Sequence, residues 1–212
     1  METQTPDSVP PSIRAFREEK APRPRLFEGF ERPSGRLEIE IGCGTGLYAQ
    51  KSAPQDSTRT LIAIEHTHER FGKFQRRLEK EGCPSNLVPV HANAISWITH
   101  AVGEAWVDRY WLLYPNPYPK TRDRGLRWHA MPFFHKLLST LRPGGELVLA
   151  TNLKWYADEA EKHFRSVWGL TITARDEITQ KSCETQGFVP RTAFEKKYLE
   201  RGETCHEVRA VK

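Results

Sequence analysis

The sequence has little cysteine, little excess charge and no long apolar run, and each shortage removes a class of protein. Cys43, Cys83, Cys183 and Cys205 stand far apart with no Cys-x-x-Cys pair, which argues against a zinc site and against a disulfide framework. Reduced thiols and no metal are expected; His66 and His68 lack the further ligand spacing that a metal needs. No uninterrupted apolar segment approaches bilayer length, and the first residues are acidic and proline-bearing rather than an apolar signal core. These absences predict a cytoplasmic chain with no membrane partner. No internal repeat is present, and nothing in the sequence decides between monomer and homodimer.

What is there suits one folded α/β domain. The 212 residues are 38% hydrophobic and 28% charged, with six Trp and ten Phe, enough for one sizeable core but not for two. The net charge of +5 permits a polyanion such as nucleic acid as partner without requiring one. Residues 1–35 are rich in Pro, Ser, Arg and Glu and show no sustained apolar period. They predict a flexible arm, made basic by Arg14, Arg17, Lys20, Arg23 and Arg25, that is either solvated or RNA-touching. Residues 36–212 form the domain.

From Leu37 onward, short apolar runs alternate with helical patterns. LEIEI precedes a helical segment from Leu47, TLIAIE a helix over 69–81, and NLVPVH a helix over 94–100. A strand over 107–113, a long loop, a helix over 133–141, the strand ELVLAT and a helix over 154–168 continue the series. Such alternation predicts a mostly parallel sheet with helices on both faces, a Rossmann-like doubly wound α/β fold. Two late strand candidates, near 170–174 and 206–211, would extend one sheet edge as an antiparallel pair; the stretch 181–191 reads as irregular.

The first strand runs into Glu40-Ile41-Gly42-Cys43-Gly44-Thr45-Gly46, a glycine-rich turn opening onto a helix. Glycines there admit positive φ and let a ligand approach the backbone. The spacing is GxGxG, not the GxGxxG of a dinucleotide fold, and the acidic Glu40 upstream suits a cationic methionine moiety better than a phosphate. Glu65 closes the second strand, where a carboxylate can take both ribose hydroxyls of an adenosine. Asn93 follows the third strand and offers an adenine edge both a donor and an acceptor. Three successive strand ends thus favour S-adenosylmethionine over a nicotinamide cofactor, with Glu40, Gly42, Gly44, Gly46, Glu65 and Asn93 as candidate contacts.

The fourth strand ends in Leu113-Tyr114-Pro115-Asn116-Pro117-Tyr118-Pro119-Lys120, whose prolines stiffen the backbone beside the expected methyl donor. Lys120, Arg122, Arg124 and Arg127 follow, opposed only by Asp123, and suit phosphate contacts. In this order of motifs the chain resembles the bacterial tRNA (guanine-N7)-methyltransferase family. The resemblance runs from about Leu37 to Val208 through EIGCGTG, IAIE, NLVPVHANA, YPNPYPKTR, LRPGGELVLATN followed by WYA, and Thr192-Ala193-Phe194-Glu195. It implies a class I methyltransferase with a seven-stranded sheet, S-adenosylmethionine as cofactor and tRNA as partner. Cofactor contacts are implied at Glu40, Glu65 and Asn93, with Asn116 at the reacting centre between cofactor and base. Substrate contacts are implied at Asn116, Lys120, Asn152, Thr192 and Glu195, and the basic run adds Arg122 as a candidate substrate contact.

Where the family has aspartate at the end of the third strand, in the proline loop and after the threonine closing the fifth strand, this chain has Asn93, Asn116 and Asn152; the loop's usual Trp is Tyr118. Those changes keep two further readings open: a methyltransferase acting on a different nucleobase, since Asn-Pro-Tyr-Pro also resembles loops that hold the exocyclic amine of adenine, and an RNA-binding paralogue with weak activity.

Overall fold

The computed structural model describes residues 14–24 and 29–212, so the first thirteen residues and Arg25 of the expected arm lie outside the described residues. Strands β1 (Arg36–Ile41), β2 (Arg59–Glu65), β3 (Leu87–His91), β4 (Val107–Leu113), β5 (Leu141–Thr151), β6 (Thr171–Ile178) and β7 (Cys205–Val211) form one seven-stranded sheet. Its order is β3-β2-β1-β4-β5-β7-β6, parallel except for β7, which pairs antiparallel with both β5 and β6. This is the doubly wound sheet that the alternating pattern predicts, with the two late strands at one edge.

Side chains alternate across the pleat, and both faces are covered. Leu37, Ile39 and Ile41 of β1 with Tyr110 and Leu112 of β4 pack against α3 (Ala94–Ala101), α4 (Phe133–Thr140) and α5 (Lys154–Ser166). On the other face Trp111 and Leu113 of β4 with Leu61 and Ala63 of β2 meet α1 (Leu47–Ser52) and α2 (His68–Glu81). Strands buried on both sides read as nearly continuous apolar runs, which is why they stand out in the sequence.

Two short helices fall where the sequence reads as irregular or as a bare motif. α6 (Gln180–Gln186) starts with a reciprocal Thr179–Ser182 cap and stops at Gly187, φ +65°. α7 (Ala193–Glu200) starts at Thr192, whose hydroxyl accepts the Glu195 N–H at 3.0 Å. Neither carries enough apolar period to announce itself; the caps were the available signals. β5 begins five residues before ELVLAT because Leu141 already pairs with Val107 across a register shift.

The described part of the arm lies against the body. Phe16 meets Phe133 edge-on at 5.3 Å, Phe30 meets Trp97 at 5.3 Å, and Lys136 pairs with Glu18 at 2.8 Å. Two isolated aromatics anchor this segment, and no periodicity marks them in advance.

Candidate active site

The sheet order reverses between β1 and β4, and in an open parallel sheet the loops part there and leave a crevice at the carboxyl ends of the strands. A cavity of about 360 Å³ lies in that place. Its wall includes Gly42 after β1, Glu65 ending β2, Asn93 after β3, and Tyr114, Asn116 and Tyr118 after β4.

The three turn glycines all have positive φ, +74°, +59° and +71° at Gly42, Gly44 and Gly46, and they differ in what surrounds them. A Cβ on Gly42 or Gly44 would meet nothing within 4 Å, whereas one on Gly46 would lie 2.0 Å from the Phe74 ring of α2. Gly46 is therefore needed for helix packing, and of the three only Gly42 walls the cavity.

β1 sends two carboxylates to one face, and their surroundings differ. Glu38 accepts from Arg59, from Arg109 Nη1 at 3.2 Å and from Trp111 Nε1 at 2.8 Å, so its charge is paired. Glu40, two residues before Gly42 and not itself a lining residue of the cavity, is 2% exposed and its Oε2 has no hydrogen-bond partner among the described residues. Burial, reinforced by the nearby Glu65 charge, pushes Glu40 up to about 8. A cation brought to Glu40 would relieve both the desolvation and the repulsion.

Glu65 takes the opposite direction. Burial acts to raise it, but the hydrogen bonds from Thr67 and Gly44 outweigh burial and hold it below the usual carboxylate range. The Gly44 and Thr67 N–H groups donate to its two oxygens at 2.9 and 2.7 Å. An ionised carboxylate offers about four acceptor positions, so Glu65 fastens the glycine turn and keeps capacity for hydroxyl donors. Asn93 is the N-cap of α3, its Oδ1 accepting the Ser96 N–H at 3.2 Å.

The proline loop holds two tyrosines in the left-handed region, Tyr114 at φ +55° and Tyr118 at φ +44°, a conformation that costs on the order of 1–3 kcal/mol each. Specific bonds hold them there. The Tyr114 N–H donates to the Ala150 carbonyl at 2.8 Å and its hydroxyl to Glu195 Oε1 at 2.8 Å. The Tyr118 carbonyl accepts from Arg127 Nε and Nη2 at 3.2 and 3.0 Å, and Arg127 Nη1 donates to Glu159 at 2.5 Å. Asn116 Oδ1 accepts the Tyr118 N–H at 3.3 Å, closing the turn from inside.

The remaining expected contacts lie off the cavity wall. Lys120 and Arg122 are exposed beside the loop, Arg122 with a 3.9 Å contact to Asp123 as its ion pair among the described residues. Asn152 Nδ2 donates to Glu203 at 3.0 Å. Glu195 has no exposed surface: it accepts from Tyr114, from the Arg191 backbone N–H at 2.6 Å and from Arg191 Nη2 at 2.6 Å, while Arg191 also pairs with Glu207. Thr192 and Glu195 therefore reach the cavity through Tyr114. The basic run divides too, since Arg127 is buried on Glu159 and the loop backbone rather than facing solvent. Sequence reading missed Arg127, Arg191 and Glu159 as supports of the loop, because an arginine that clamps backbone looks like any other arginine in a polar stretch.

His129, Glu159 and His163 bring three ligand-type atoms within 4.8 Å of one another. Glu159 already accepts from Arg124 at 2.6 Å, Arg127 at 2.5 Å and His129 at 3.2 Å, and two guanidinium groups neutralise the charge a cation would need. Among the described residues no helix is long and apolar enough to cross a membrane.

Comparison with known proteins agrees with this architecture. Among solved structures the chain resembles a 16S rRNA methyltransferase, KamB, at TM-score 0.62 and 16% identity, over 85% of this chain and 90% of that one. It also resembles an antibiotic-related methyltransferase at TM-score 0.60 and 19% identity, over 84% and 87% of the two chains. In sequence it is 28% identical to a tRNA (guanine-N(7)-)-methyltransferase of Nitrosomonas eutropha, over 80% of this chain and 73% of the relative. It is likewise 28% identical to one of Halorhodospira halophila, over 84% and 75%. A family described as "Putative methyltransferase" matches residues 34–208. With most of its length matched and its strand ends gathered on one cavity, the chain belongs to this methyltransferase family.

Proposed function

We propose that the protein transfers the methyl group of S-adenosylmethionine to N7 of a guanine in tRNA, in the cytoplasm. The observation that carries the reading is the single cavity whose wall joins Gly42, Glu65 and Asn93, from three successive strand ends, to Asn116 and Tyr118 of the proline loop. The relatives of that name, aligned over four-fifths of the chain, support the choice of substrate.

When bound, S-adenosylmethionine supplies a methyl group made electrophilic by its sulfonium. The residues fit that ligand: Glu40 has a buried oxygen in want of a cation, Glu65 retains acceptor capacity for the ribose hydroxyls, and Gly42 leaves room for a close approach. On this reading Asn93, a lining residue whose Oδ1 also caps α3, meets an adenine edge. On the other side of the cavity Asn116 and Tyr118 face the base, Tyr118 by stacking and Asn116 by its amide.

Guanine N7 carries an in-plane lone pair and loses no proton as it is methylated, so no general base is required. The protein's tasks are alignment and stabilising the positive charge the base gains. Asn116 is the catalytic residue on this reading, acting through the dipole of its carbonyl; Lys120 and Arg122 contact RNA phosphates, and Asn152, Thr192 and Glu195 support the substrate side. Nucleoside mass spectrometry of tRNA incubated with the protein and labelled donor tests the proposal. Labelled 7-methylguanosine is expected; label on another nucleoside, or donor binding without label, would overturn it.

A further inference from the structure

Trp155 belongs to no part of the chemistry above. It stands in the first turn of α5, in the WYA segment, and is 40% exposed, one of few large apolar side chains so placed among the described residues. The Arg127 guanidinium lies over its ring, 4.8 Å from the centroid. A depression of about 530 Å³ opens beside it, lined by Pro119, Arg124, Arg127, Trp155, Asp158, Glu159 and Lys162.

The charges around this depression leave it suited to an anion. Glu159 is neutralised by Arg124 and Arg127, and Asp158 pairs with Lys154 at 2.7 Å and with Arg175 at 3.0 Å. Lys162 is exposed and has no ion-pair partner among the described residues. Arg124 is 55% exposed, and Lys120 and Arg122 project from the same loop. An aromatic ring with a guanidinium over one face, next to an apolar proline and a spare ammonium, combines a stacking surface with a phosphate contact, the pairing used to hold unpaired nucleotides.

The depression is also tied to the cavity. Tyr118 walls the cavity and the next residue, Pro119, walls the depression, their Cα atoms about 3.8 Å apart across a trans peptide. Arg127 Nη2 donates to both carbonyls, at 3.0 Å to Tyr118 and 3.5 Å to Pro119, so one side chain fixes the two openings relative to each other.

We propose that Trp155, Pro119, Arg124 and Lys162 form a second nucleotide subsite, which stacks an unpaired base flanking the target guanine and holds its phosphate. The proposal rests on the tRNA reading above. It makes recognition depend on a base that is not methylated, so that a nucleotide in a loop is accepted and one locked in a duplex is not.

Equilibrium binding of tRNA to full-length Trp155→Ala, Trp155→Phe and Lys162→Ala tests it, with S-adenosylhomocysteine binding as the check on folding. Trp155→Ala should bind tRNA on the order of tenfold more weakly and Trp155→Phe should recover most of the loss. Lys162→Ala should lower affinity and reduce the slope of log K against log salt by about one. S-adenosylhomocysteine should bind all three as it binds the wild type. Removing the base of the nucleotide on either side of the target should, on one side, weaken the wild type about tenfold and leave Trp155→Ala unchanged. Wild-type tRNA affinity in Trp155→Ala, or equal losses from both abasic RNAs in wild type and variant, would overturn the subsite while leaving 7-methylguanosine formation intact. A wild type that neither binds nor labels tRNA would overturn the underlying reading, and the subsite with it.

Discussion

Two carboxylates in one strand illustrate how much surroundings decide at the scale of a residue. Glu38 and Glu40 are equally buried and point to the same face, yet only Glu40 lacks a counterion. Its carboxyl, pushed up to about 8, is mostly protonated at pH 7 without ligand. An ammonium group arriving there should lower that value and expel the proton. Calorimetry of S-adenosylhomocysteine binding in buffers of different ionisation enthalpy should therefore read close to one proton released at pH 7 and little at pH 9. Glu40→Gln should abolish the release and weaken binding by about 2 kcal/mol, the worth of a charged hydrogen bond; zero release in the wild type would contradict the assignment. Asn116 supplies a second test. A carboxylate beside the developing cation stabilises it better than an amide dipole, so Asn116→Asp should raise the rate of guanine methylation, by up to about a hundredfold. An unchanged or lower rate would mean that charge stabilisation at this position is not limiting.

Among the elements, the unit of interest is the proline loop with what braces it. Its left-handed tyrosines are tied down from two directions, Tyr114 by Glu195 at the start of α7 and Tyr118 by Arg127. The strain at Tyr114 is thus held by a largely buried Glu195–Arg191–Glu207 cluster, none of whose members lines the cavity and which meets the cavity wall through Tyr114. Glu195 is a positioning residue on this geometry. Tyr114→Phe should cost about 1 kcal/mol of stability and lower kcat with little change in S-adenosylhomocysteine affinity. Glu195→Gln leaves the buried Arg191 short of charge and should cost about 3 kcal/mol, read from urea unfolding. A Tyr114→Phe variant with wild-type kcat would show that the loop holds its shape without Glu195.

Taken as a whole, the molecule carries two buried groups that limit its stability from opposite sides of the pH scale. Burial depresses His129 to about 4, against the hydrogen bond it donates to Glu159, with the His163 and Arg127 charges adding to the depression. A depressed histidine contributes stability that is complete above its unfolded value near 6.5 and is lost as pH falls toward about 4. Glu40 is the reverse case: its raised value means a contribution present below 4.5 and lost as pH rises to about 8. Each is worth at most about 1.4 kcal/mol per pH unit while it titrates. The unfolding temperature of the ligand-free protein should accordingly decline on both sides of mildly acidic pH. Glu40→Gln should flatten the alkaline side alone, and saturating S-adenosylhomocysteine should do the same by supplying the missing cation. An alkaline limb identical in Glu40→Gln would exclude Glu40 as its cause.

The sequence by itself determined the doubly wound sheet, because strands covered on both faces must be apolar throughout while their helices repeat near every fourth residue. It also marked the strand ends, since Glu65 closes a strand and Gly42, Asn93 and Asn116 follow strands legible from their neighbours. Only the tertiary structure decided what those residues touch. It separated paired Glu38 from unpaired Glu40, made Gly46 a packing requirement under Phe74, and turned Thr192 and Glu195 into the cap and brace of a helix. It also moved Arg127 from the surface to the loop backbone and set Trp155 beside Pro119. Each of these depends on partners distant in the chain, Phe74 for Gly46, Tyr114 for Glu195 and Tyr118 with Glu159 for Arg127. Periodicity and local spacing report which face a residue occupies; they carry no record of what the fold brings to meet it.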